Sequence, residues 1–332
     1  MNKENDFCNV ASKGNHIVLI CICIAGVLIP IVFSGPAIAL PDISKEFDSD
    51  VFTLSWIVNA YNVSLGSLVM AGGALSDQIG RKKCFITGLM LFFITSLIIS
   101  ITSHIGIFII FRILEGVGGA LTLTAGSSII AQEYQGHSRT QAFSLLGASF
   151  GVGLAFGPLL TGGIIENWGW RALFLTISTV SALITLIIFN KIKESKNPTN
   201  YGIDWVGMVS FTISLVFLIF AIVQGPYYGW GSKINLGLFS MSFILLLVFI
   251  LVEIKTPFPM LDLSLFKHPS FIGVQLLPIA TGFSFIALIV YLPIWFIGIK
   301  GYSEFQAGLA ILPLTAPMVI IPFFIWYFGK IF

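Results

Sequence analysis

The chain has 332 residues, of which 56% are hydrophobic and only 10% are charged, and its formal net charge is +2. Soluble domains carry about 25% charged residues, so this composition excludes a water-soluble globular protein. Because the few cations are spread over short segments and form no basic patch, a nucleic-acid partner is excluded as well. Apolar runs of about 18 residues or more predict transmembrane helices, and such runs make up most of the sequence.

Ten apolar runs, divided by polar breaks, predict an all-α polytopic membrane protein with about ten transmembrane helices. The runs are too long and too continuously apolar for barrel strands, and only helices or closed barrels satisfy their backbone hydrogen bonds in lipid. The first run exceeds the core of a signal peptide, about 7–15 residues, so we expect it to be retained as a span. The predicted spans are 16–40, 52–74, 84–103, 105–130, 140–164, 170–190, 204–224, 236–254, 271–298 and 306–329.

The distribution of Lys and Arg predicts that both termini are cytoplasmic. In this orientation twelve cations lie on the cytoplasmic side, four lie on the outer side, and the seventeenth, Arg112, lies within the fourth span. The twelve are Lys3, Lys13, Arg81, Lys82, Lys83, Arg139, Lys191, Lys193, Lys196, Lys255, Lys267 and Lys330. The four are Lys45, Arg171, Lys233 and Lys300.

Two further features are expected at the membrane surfaces. The acidic residues that follow the first span are predicted to form an outer loop; they are Asp42, Glu46, Asp48 and Asp50. Tryptophans near the span ends are typical of interfacial anchors. These tryptophans are Trp56, Trp168, Trp170, Trp205, Trp230 and Trp326.

The stretch "GGALSDQIGRKKCF" (72–85), between the second and third spans, carries the most specific motif. Its charge alone is equally typical of an ordinary positively charged cytoplasmic loop. Its spacing, however, resembles the loop signature G-x-L-x-D-x-x-G-R-K of the major facilitator superfamily. In that family the loop contacts a helix of the second half and closes the cytoplasmic side. We call the matching residues Gly73, Asp77, Gly80, Arg81 and Lys82 the gate loop.

Two more spans carry motifs of the same family. "FRILEGVGGA" in span four resembles R-x-x-Q-G-x-G-x-A, with Arg112 matching and Glu115 in place of the usual Gln. "GVGLAFGPLLTGG" in span five resembles the antiporter signature, with matches at Gly153, Gly157 and Pro158. "WIVNAY" (56–61), "WGWRALF" (168–174) and "PMLDLSLFKHPSF" (259–271) also resemble this family, so the resemblance covers essentially the whole chain.

The closest subgroup is the fourteen-span drug:proton antiporters, in which two extra helices join two six-span halves. The resemblance implies a cytoplasmic tail (1–15), a six-helix bundle (16–190), a connector with two extra helices (191–254) and a partial C-terminal bundle of two helices (255–332). Two departures stand out: Val32 occupies the position of an Asp that is usual in span one, and the chain ends four helices early.

Arg112 and Glu115 are the ionisable residues predicted deep in a span, and their spacing places both on one helix face. A charge at mid-bilayer costs about 2.5–3.5 kcal/mol on insertion scales, so such residues usually find a partner in a bundle interior. The family resemblance implies that Arg112 takes part in proton coupling, and we expect Glu115 to share that role. A static structural ion pair is the alternative.

A substrate cavity is predicted from polar residues in the first two spans. Ser34 lies in a span that Gly and Pro interrupt, which is typical of a transporter binding site at the midplane. Trp56, Asn59 and Asn62 share one face of span two, where an aromatic ring beside amides suits an amphipathic or cationic ligand. Trp56 is equally typical of an interfacial anchor. The glycines of span five, with the kink expected at Pro158, suit a rocking interface or simple close packing.

The combined expectation is a secondary transporter of the cytoplasmic membrane that exports drug-like small molecules and is driven by protons. It would need no cofactor and no metal, because the proton gradient supplies the energy. The expected partners are substrate, protons, the bilayer and possibly a complementing C-terminal half. The alternative is a truncated relative that is transport-incompetent until such a partner supplies the missing helices. An enzyme is disfavoured, because the histidines are scattered: His16, His104, His137 and His268.

Overall fold

The computed structural model describes residues 15–195, 204–256, 261 and 263–317, and most of these residues are helical. Within these ranges nine helical segments are long and apolar enough to cross a membrane, which confirms the prediction of an all-α polytopic membrane protein. The helices are α1 (His16–Phe47), α2 (Val51–Ile79), α3 (Arg81–Ile101), α4 (Ile105–Glu133), α5 (Gly136–Trp168), α6 (Trp170–Ile188), α7 (Trp205–Tyr228), α8 (Lys233–Lys255), α9 (Pro269–Thr281), α10 (Ala287–Gly298) and α11 (Glu304–Thr315).

The ninth predicted span corresponds to α9 and α10, which are joined by a π-helical turn at Gly282–Ile286. The tenth predicted span, 306–329, is described only in its first part, which is α11. Its remainder, with Trp326, lies outside the described residues, as does nearly all of the predicted tail 1–15. Several helices begin where a polar side chain caps the first turn; the caps are Asn15, Asp50, Asp204, Ser232 and Ser303.

Helix α1 extends beyond its predicted end at residue 40, so the acidic loop is shorter than predicted and keeps only Asp48 and Asp50. Asp42 and Glu46 lie on the last turns of the helix, and only residues 48–50 connect α1 to α2. The extension is stabilised by contacts with the start of α6. Glu46 Oε2 accepts hydrogen bonds from Trp170 Nε1 at 2.8 Å and from Arg171 Nη1 at 2.5 Å.

Trp170 is a second correction, because it is a core residue and not an interfacial anchor. Its side chain is 4% exposed, and its ring lies 5.6 Å from that of Phe108 and 6.2 Å from that of Phe174. The indole N–H is satisfied by Glu46, which allows this large ring to be buried. Trp168, Trp205 and Trp230 are exposed, as expected of anchors.

The first six helices form a bundle with two buried apolar clusters, one towards each end. The closest helix pairs are α2 with α4, α3 with α4, α1 with α5 and α3 with α6. Helices α7 and α8 form a hairpin that packs on α2, and α11 packs on α5. In the most apolar stretch of α1 and of α3, about half of the residues are buried. The corresponding share is 17% in α8 and 12% across α9 and α10.

Close approach of α1 and α5 depends on Gly153. A methyl group at this position would lie 2.6 Å from the Val27 carbonyl oxygen and 3.1 Å from Pro30 Cγ, so the helices would have to separate. Overpacking of this kind typically costs about 1–3 kcal/mol. We therefore expect Gly153→Ala to lower the free energy of unfolding by about that amount, measured by denaturant unfolding of the purified protein in detergent.

Gly147 is the matched control on the same helix, because a methyl group there meets nothing within 4 Å. Gly147→Ala should leave stability unchanged or raise it slightly, since Ala is the better helix former by about 0.5–1 kcal/mol. Equal losses in the two variants would contradict the close packing of α1 on α5.

Candidate functional site

Arg112 and Glu115 form an ion pair in the interior of the six-helix bundle. Both side chains are 0% exposed, and Arg112 Nη1 lies 2.6 Å from Glu115 Oε2. The two residues are one turn apart on α4, as their spacing requires. A fully buried charge pair of this kind is tolerated only when the remaining donors and acceptors also have partners.

The remaining donors of Arg112 reach backbone carbonyls of two other helices. Its Nε donates to the carbonyl oxygen of Ile57 on α2 at 2.7 Å, and its Nη2 donates to that of Val32 on α1 at 3.1 Å. The guanidinium carbon lies 4.5 Å from the ring centroid of Tyr61, which supplies a cation–π contact. Arg112 therefore joins α1, α2 and α4 at one point.

Pro36 explains why the Val32 carbonyl is available. In an α-helix this carbonyl would accept from the N–H four residues later, and proline has none. The helix continues through Pro36, so the free carbonyl acceptor lies within α1. Its partner is Arg112, at the position where the related sequences were expected to carry an Asp. A backbone oxygen, and not a carboxylate, meets the guanidinium here.

Glu115 is held from a fourth helix. Ser96 on α3 donates its hydroxyl to Glu115 Oε1 at 2.5 Å, so each carboxylate oxygen has one donor. We call Arg112, Glu115, Ser96 and Tyr61, with the two carbonyls, the buried charge network. Neither Ser96 nor Tyr61 was predicted as a partner of this pair: Ser96 lies in a span without a motif, and Tyr61 closes the stretch "WIVNAY", which carried only the family resemblance. Chemically, the network contains one group that can bind a proton and one that is permanently charged.

The gate loop lies beside the C-terminal end of α4. The contact between Glu46 and Arg171 lies near the N-terminal end of α4. Asp77 is in the last turns of α2, and its Oδ1 accepts from Arg81 Nη2 at 2.8 Å and from Arg81 Nε at 3.1 Å. Arg81 Nη1 donates to Gln132 Oε1 at the end of α4 at 2.7 Å. The described contacts of this pair thus tie α2 and α3 to α4, within the six-helix bundle.

The backbone of the gate loop is capped by residues that follow α6. The N–H of Lys82 donates to Glu194 Oε1 at 3.2 Å, and the N–H of Arg81 donates to the Ser195 carbonyl at 3.0 Å. A carboxylate at the first turn of α3 satisfies free N–H groups and favours the helix dipole. Glu194 was not predicted, because 112 residues separate it from Lys82 and no local pattern links them.

The antiporter motif on α5 is the contact surface for two helices. Gly153 and Gly157 face α1, where a methyl group at Gly157 would lie 3.4 Å from Ile31 Cγ1. On the other side, a methyl group at Gly308 of α11 would lie 2.9 Å from the Pro158 carbonyl oxygen. Glu166 Oε2 also accepts from the N–H of Phe305 at 3.2 Å, which caps α11. Helix α5 is therefore packed between α1 and α11.

The residues predicted to form the substrate cavity have the following described contacts. The ring of Trp56 packs at a tilt against that of Phe220 of α7, with centroids 5.1 Å apart, and Ser34 Oγ donates to the Pro30 carbonyl at 2.9 Å. Asn59 is half-buried, and Asn62 carries a buried Oδ1 without a hydrogen-bond partner. Their role stays a prediction.

A small cleft, with room for little more than a water molecule, lies elsewhere between α1, α4 and α5. Its lining is almost wholly apolar and includes Ile22, Gly26, Thr122, Gly126 and Phe150. Within the described ranges no group of three or more His, Cys, Asp or Glu side chains has a geometry suited to a metal ion.

Comparisons with known proteins identify one family. The model of the Major Facilitator Superfamily matches residues 22–332. The chain is 32% identical to multidrug resistance protein 3 of Bacillus subtilis, over 80% of this chain and 52% of that protein. It is 28% identical to the methylenomycin A resistance protein of Bacillus subtilis, over 85% of this chain and 61% of that protein. The chain thus spans between about half and three-fifths of the length of these curated relatives.

The fold is similar to that of a solved transporter. The crystal structure of the peptide transporter POT in complex with sulfate superposes with a TM-score of 0.63, covering 99% of this chain and 72% of that one, at 16% sequence identity. At this identity the likeness establishes a shared fold and says nothing about the ligand.

Removal of the Glu115 carboxylate should destabilise the bundle strongly. Glu115→Ala leaves Arg112 buried without its counter-charge, and breaking a buried pair in this way typically costs about 3–5 kcal/mol. The control is Asp42→Ala, because Asp42 and Lys45 form an ion pair of the same i, i+3 spacing on an exposed surface. Exposed pairs contribute about 0–1 kcal/mol. Unfolding in detergent should show the difference, and similar losses would contradict it.

The two glycines of the gate loop should respond differently to alanine. Gly80 has a φ of +129°, and a methyl group there would collide with the Glu194 carboxylate. Strained backbone of this kind costs about 1–3 kcal/mol. Gly73 has nothing within 4 Å of the added methyl group. We expect Gly80→Ala to lower the unfolding midpoint and Gly73→Ala to leave it unchanged or higher, and the reverse order would argue against the Glu194 cap.

Proposed function

Because this chain belongs to the Major Facilitator Superfamily, as its motifs predicted, we propose that it acts as a proton-coupled secondary transporter. It exports drug-like or amphipathic small molecules across the cytoplasmic membrane by alternating access. The relatives named for multidrug, methylenomycin A and tetracenomycin C resistance support this class of substrate. The proton gradient supplies the energy, and no cofactor takes part.

The buried charge network is the observation that carries the proposal. A protonatable carboxylate and a permanent cation are in contact at 2.6 Å with no exposure of either side chain. Proton binding at Glu115 removes the negative charge that faces Arg112 Nη1. The guanidinium then carries an uncompensated positive charge, and the carbonyls of Ile57 and Val32 and the ring of Tyr61 become its main partners.

This redistribution gives proton binding a route to helix movement. Before protonation, Arg112 is shared between its own helix and the carbonyls of α1 and α2. After protonation, its pull on those two helices grows, while Ser96 on α3 is free to release the carboxyl group. Arg112 therefore binds different helices before and after protonation. Such a change favours one of two packings of the bundle, and alternating access requires two packings.

The outer contact between α5 and α11 is the second element of the proposed cycle. Gly162 and Gly308 bring the two helices into backbone contact, and Glu166 caps α11. Tight packing of small residues keeps this end closed, while rigid-body rocking about α5 opens it. At the predicted cytoplasmic end the gate loop, with the Asp77–Arg81 pair and Glu194, holds α2, α3 and the segment after α6 together, so that they move as one body.

A second candidate function rests on the length of the match. The chain covers 52% of one drug-resistance relative and 61% of another, and α9 and α10 bury only 12% of their span. In this alternative the chain is transport-incompetent on its own and works only when a complementing set of C-terminal helices is supplied.

Dye efflux from energised vesicles tests both candidates. We expect uncoupler-sensitive efflux that is lost in Glu115→Gln, because the amide keeps the shape but binds no proton, and in Arg112→Ala. Asp42→Asn is the control, since Asp42 lies in an exposed pair far from the network. Efflux that persists in Glu115→Gln at the original uncoupler sensitivity would contradict the coupling role.

The same assay with a co-expressed partner separates the candidates. The partner is the C-terminal segment of multidrug resistance protein 3 that this chain does not match. Efflux by the chain alone supports the first candidate, and efflux only with the segment supports the second. Inserted protein without efflux in either arm would overturn both.

A further inference from the structure

The predicted cytoplasmic ends of α3 and α6 carry a group of lysines. One of them, Lys82, belongs to the gate loop, and the others have no part in the proposed transport cycle. Helices α3 and α6 pack antiparallel, and their register is fixed by two contacts. The hydroxyl of Ser178 donates to the Phe93 carbonyl at 2.9 Å in mid-helix. Eleven residues closer to the gate loop on both helices, Lys82 Nζ lies 5.4 Å from the ring centroid of Phe189.

Four lysines lie at this end of the helix pair. Lys82 and Lys83 begin α3, and Lys191 and Lys193 lie just beyond the end of α6. Lys83, Lys191 and Lys193 are exposed, and Lys82 is half-exposed. The segment that carries Lys193 is held beside α3 through the bond from the Lys82 N–H to Glu194. The lysines therefore come from two segments that the fold keeps together.

The cations outnumber the carboxylates beside them, since Asp77 and Glu194 lie next to Arg81 and the four lysines. The sequence holds no Asp or Glu in 78–90 or in 175–193. Asp77 is engaged with Arg81, and the Glu194 carboxylate accepts from the N–H groups of Lys82 and Ser195. The local charge is thus strongly positive where the helices reach the membrane surface, and the exposed ring of Phe189 lies at the same level.

Beyond the lysines, the same helix pair exposes a continuous apolar surface. Met90, Ile94 and Leu97 are exposed on α3, and Leu183, Leu186 and Ile187 are exposed on α6. No other described helix covers these side chains, so in a membrane they contact acyl chains. An anionic phospholipid has a negatively charged phosphate above two apolar tails. This order matches the lysines, the aromatic ring and the exposed apolar side chains of the helix pair.

We propose that the predicted cytoplasmic end of α3 and α6 is a binding site for an anionic phospholipid. The headgroup phosphate lies among Lys82, Lys83, Lys191 and Lys193, and the acyl chains lie along the exposed apolar side chains of both helices. The site differs from a diffuse attraction of scattered loop cations, because two segments contribute and both are fixed by backbone hydrogen bonds.

Native mass spectrometry of the purified full chain tests the site, with phosphatidylglycerol and phosphatidylcholine of the same acyl chains as probes. Each lysine near an anionic headgroup contributes about fivefold in affinity. We expect the double variant Lys191→Gln, Lys193→Gln to lose about tenfold or more in phosphatidylglycerol affinity and to bind phosphatidylcholine as before. The double variant Lys191→Glu, Lys193→Glu should lose more.

Arg139→Gln is the matched control. Arg139 is an exposed cation at the same predicted membrane face and also lies over an aromatic ring, that of Phe143 at 5.8 Å, but it stands apart from the lysine group. Its phosphatidylglycerol affinity should stay within about twofold of the unmodified chain. An equal loss in this variant, or equal affinity of the chain for both lipids, would overturn the proposal.

Inorganic phosphate distinguishes a lipid site from a simple anion site. If the acyl chains contribute, millimolar phosphate should displace little phosphatidylglycerol. Full displacement would overturn the assignment to a phospholipid. Thermal unfolding of each variant in detergent shows whether it is folded, and only variants with an unchanged midpoint enter the comparison.

Discussion

The cost of placing a charge in the membrane interior is the constraint on which this structure depends. The guanidinium of Arg112 is a planar cation with donors on three nitrogens, so the bundle must supply partners around it. It does so with a carboxylate on the same helix, carbonyls on two others and an aromatic ring. The positions of α1, α2, α3 and α4 relative to one another follow from this one requirement, together with the apolar packing around it.

Pro36 leaves a backbone carbonyl free to accept a hydrogen bond from Arg112. A proline in a membrane helix is commonly associated with kinks, yet here α1 continues through Pro36 and the consequence is a free carbonyl. That oxygen meets Arg112 at 3.1 Å and takes part of the task that a carboxylate was expected to perform. The replacement leaves Glu115 as the described acid in direct contact with the guanidinium. Charge compensation is thereby concentrated in one ion pair, which is also where we propose that the proton binds.

Glycines allow the helix backbones to approach closely where helices are in contact. Without a β-carbon, Gly153 lets α5 approach the α1 backbone, and Gly308 lets α11 approach the α5 backbone. Gly80 adopts a positive φ beside Glu194, which allows the chain to turn from α2 into α3. Charged side chains lie mostly at helix ends, where free N–H groups need acceptors. Glu46, Glu166 and Glu194 each join segments that are distant in sequence.

The sequence by itself determined the number and type of most spans, the family and the Arg112–Glu115 spacing, because hydropathy and helical periodicity are local properties. It located the gate loop and the antiporter motif for the same reason. Helix ends were less predictable: α1 continues past residue 40 and Trp170 is buried, since contacts with Glu46 and Arg171 stabilise both. Only the tertiary structure decided the partners, namely the Val32 carbonyl, Ser96, Tyr61 and Glu194. Those contacts join residues from 19 to 112 positions apart, and no local pattern encodes which side chain or carbonyl will face a buried charge.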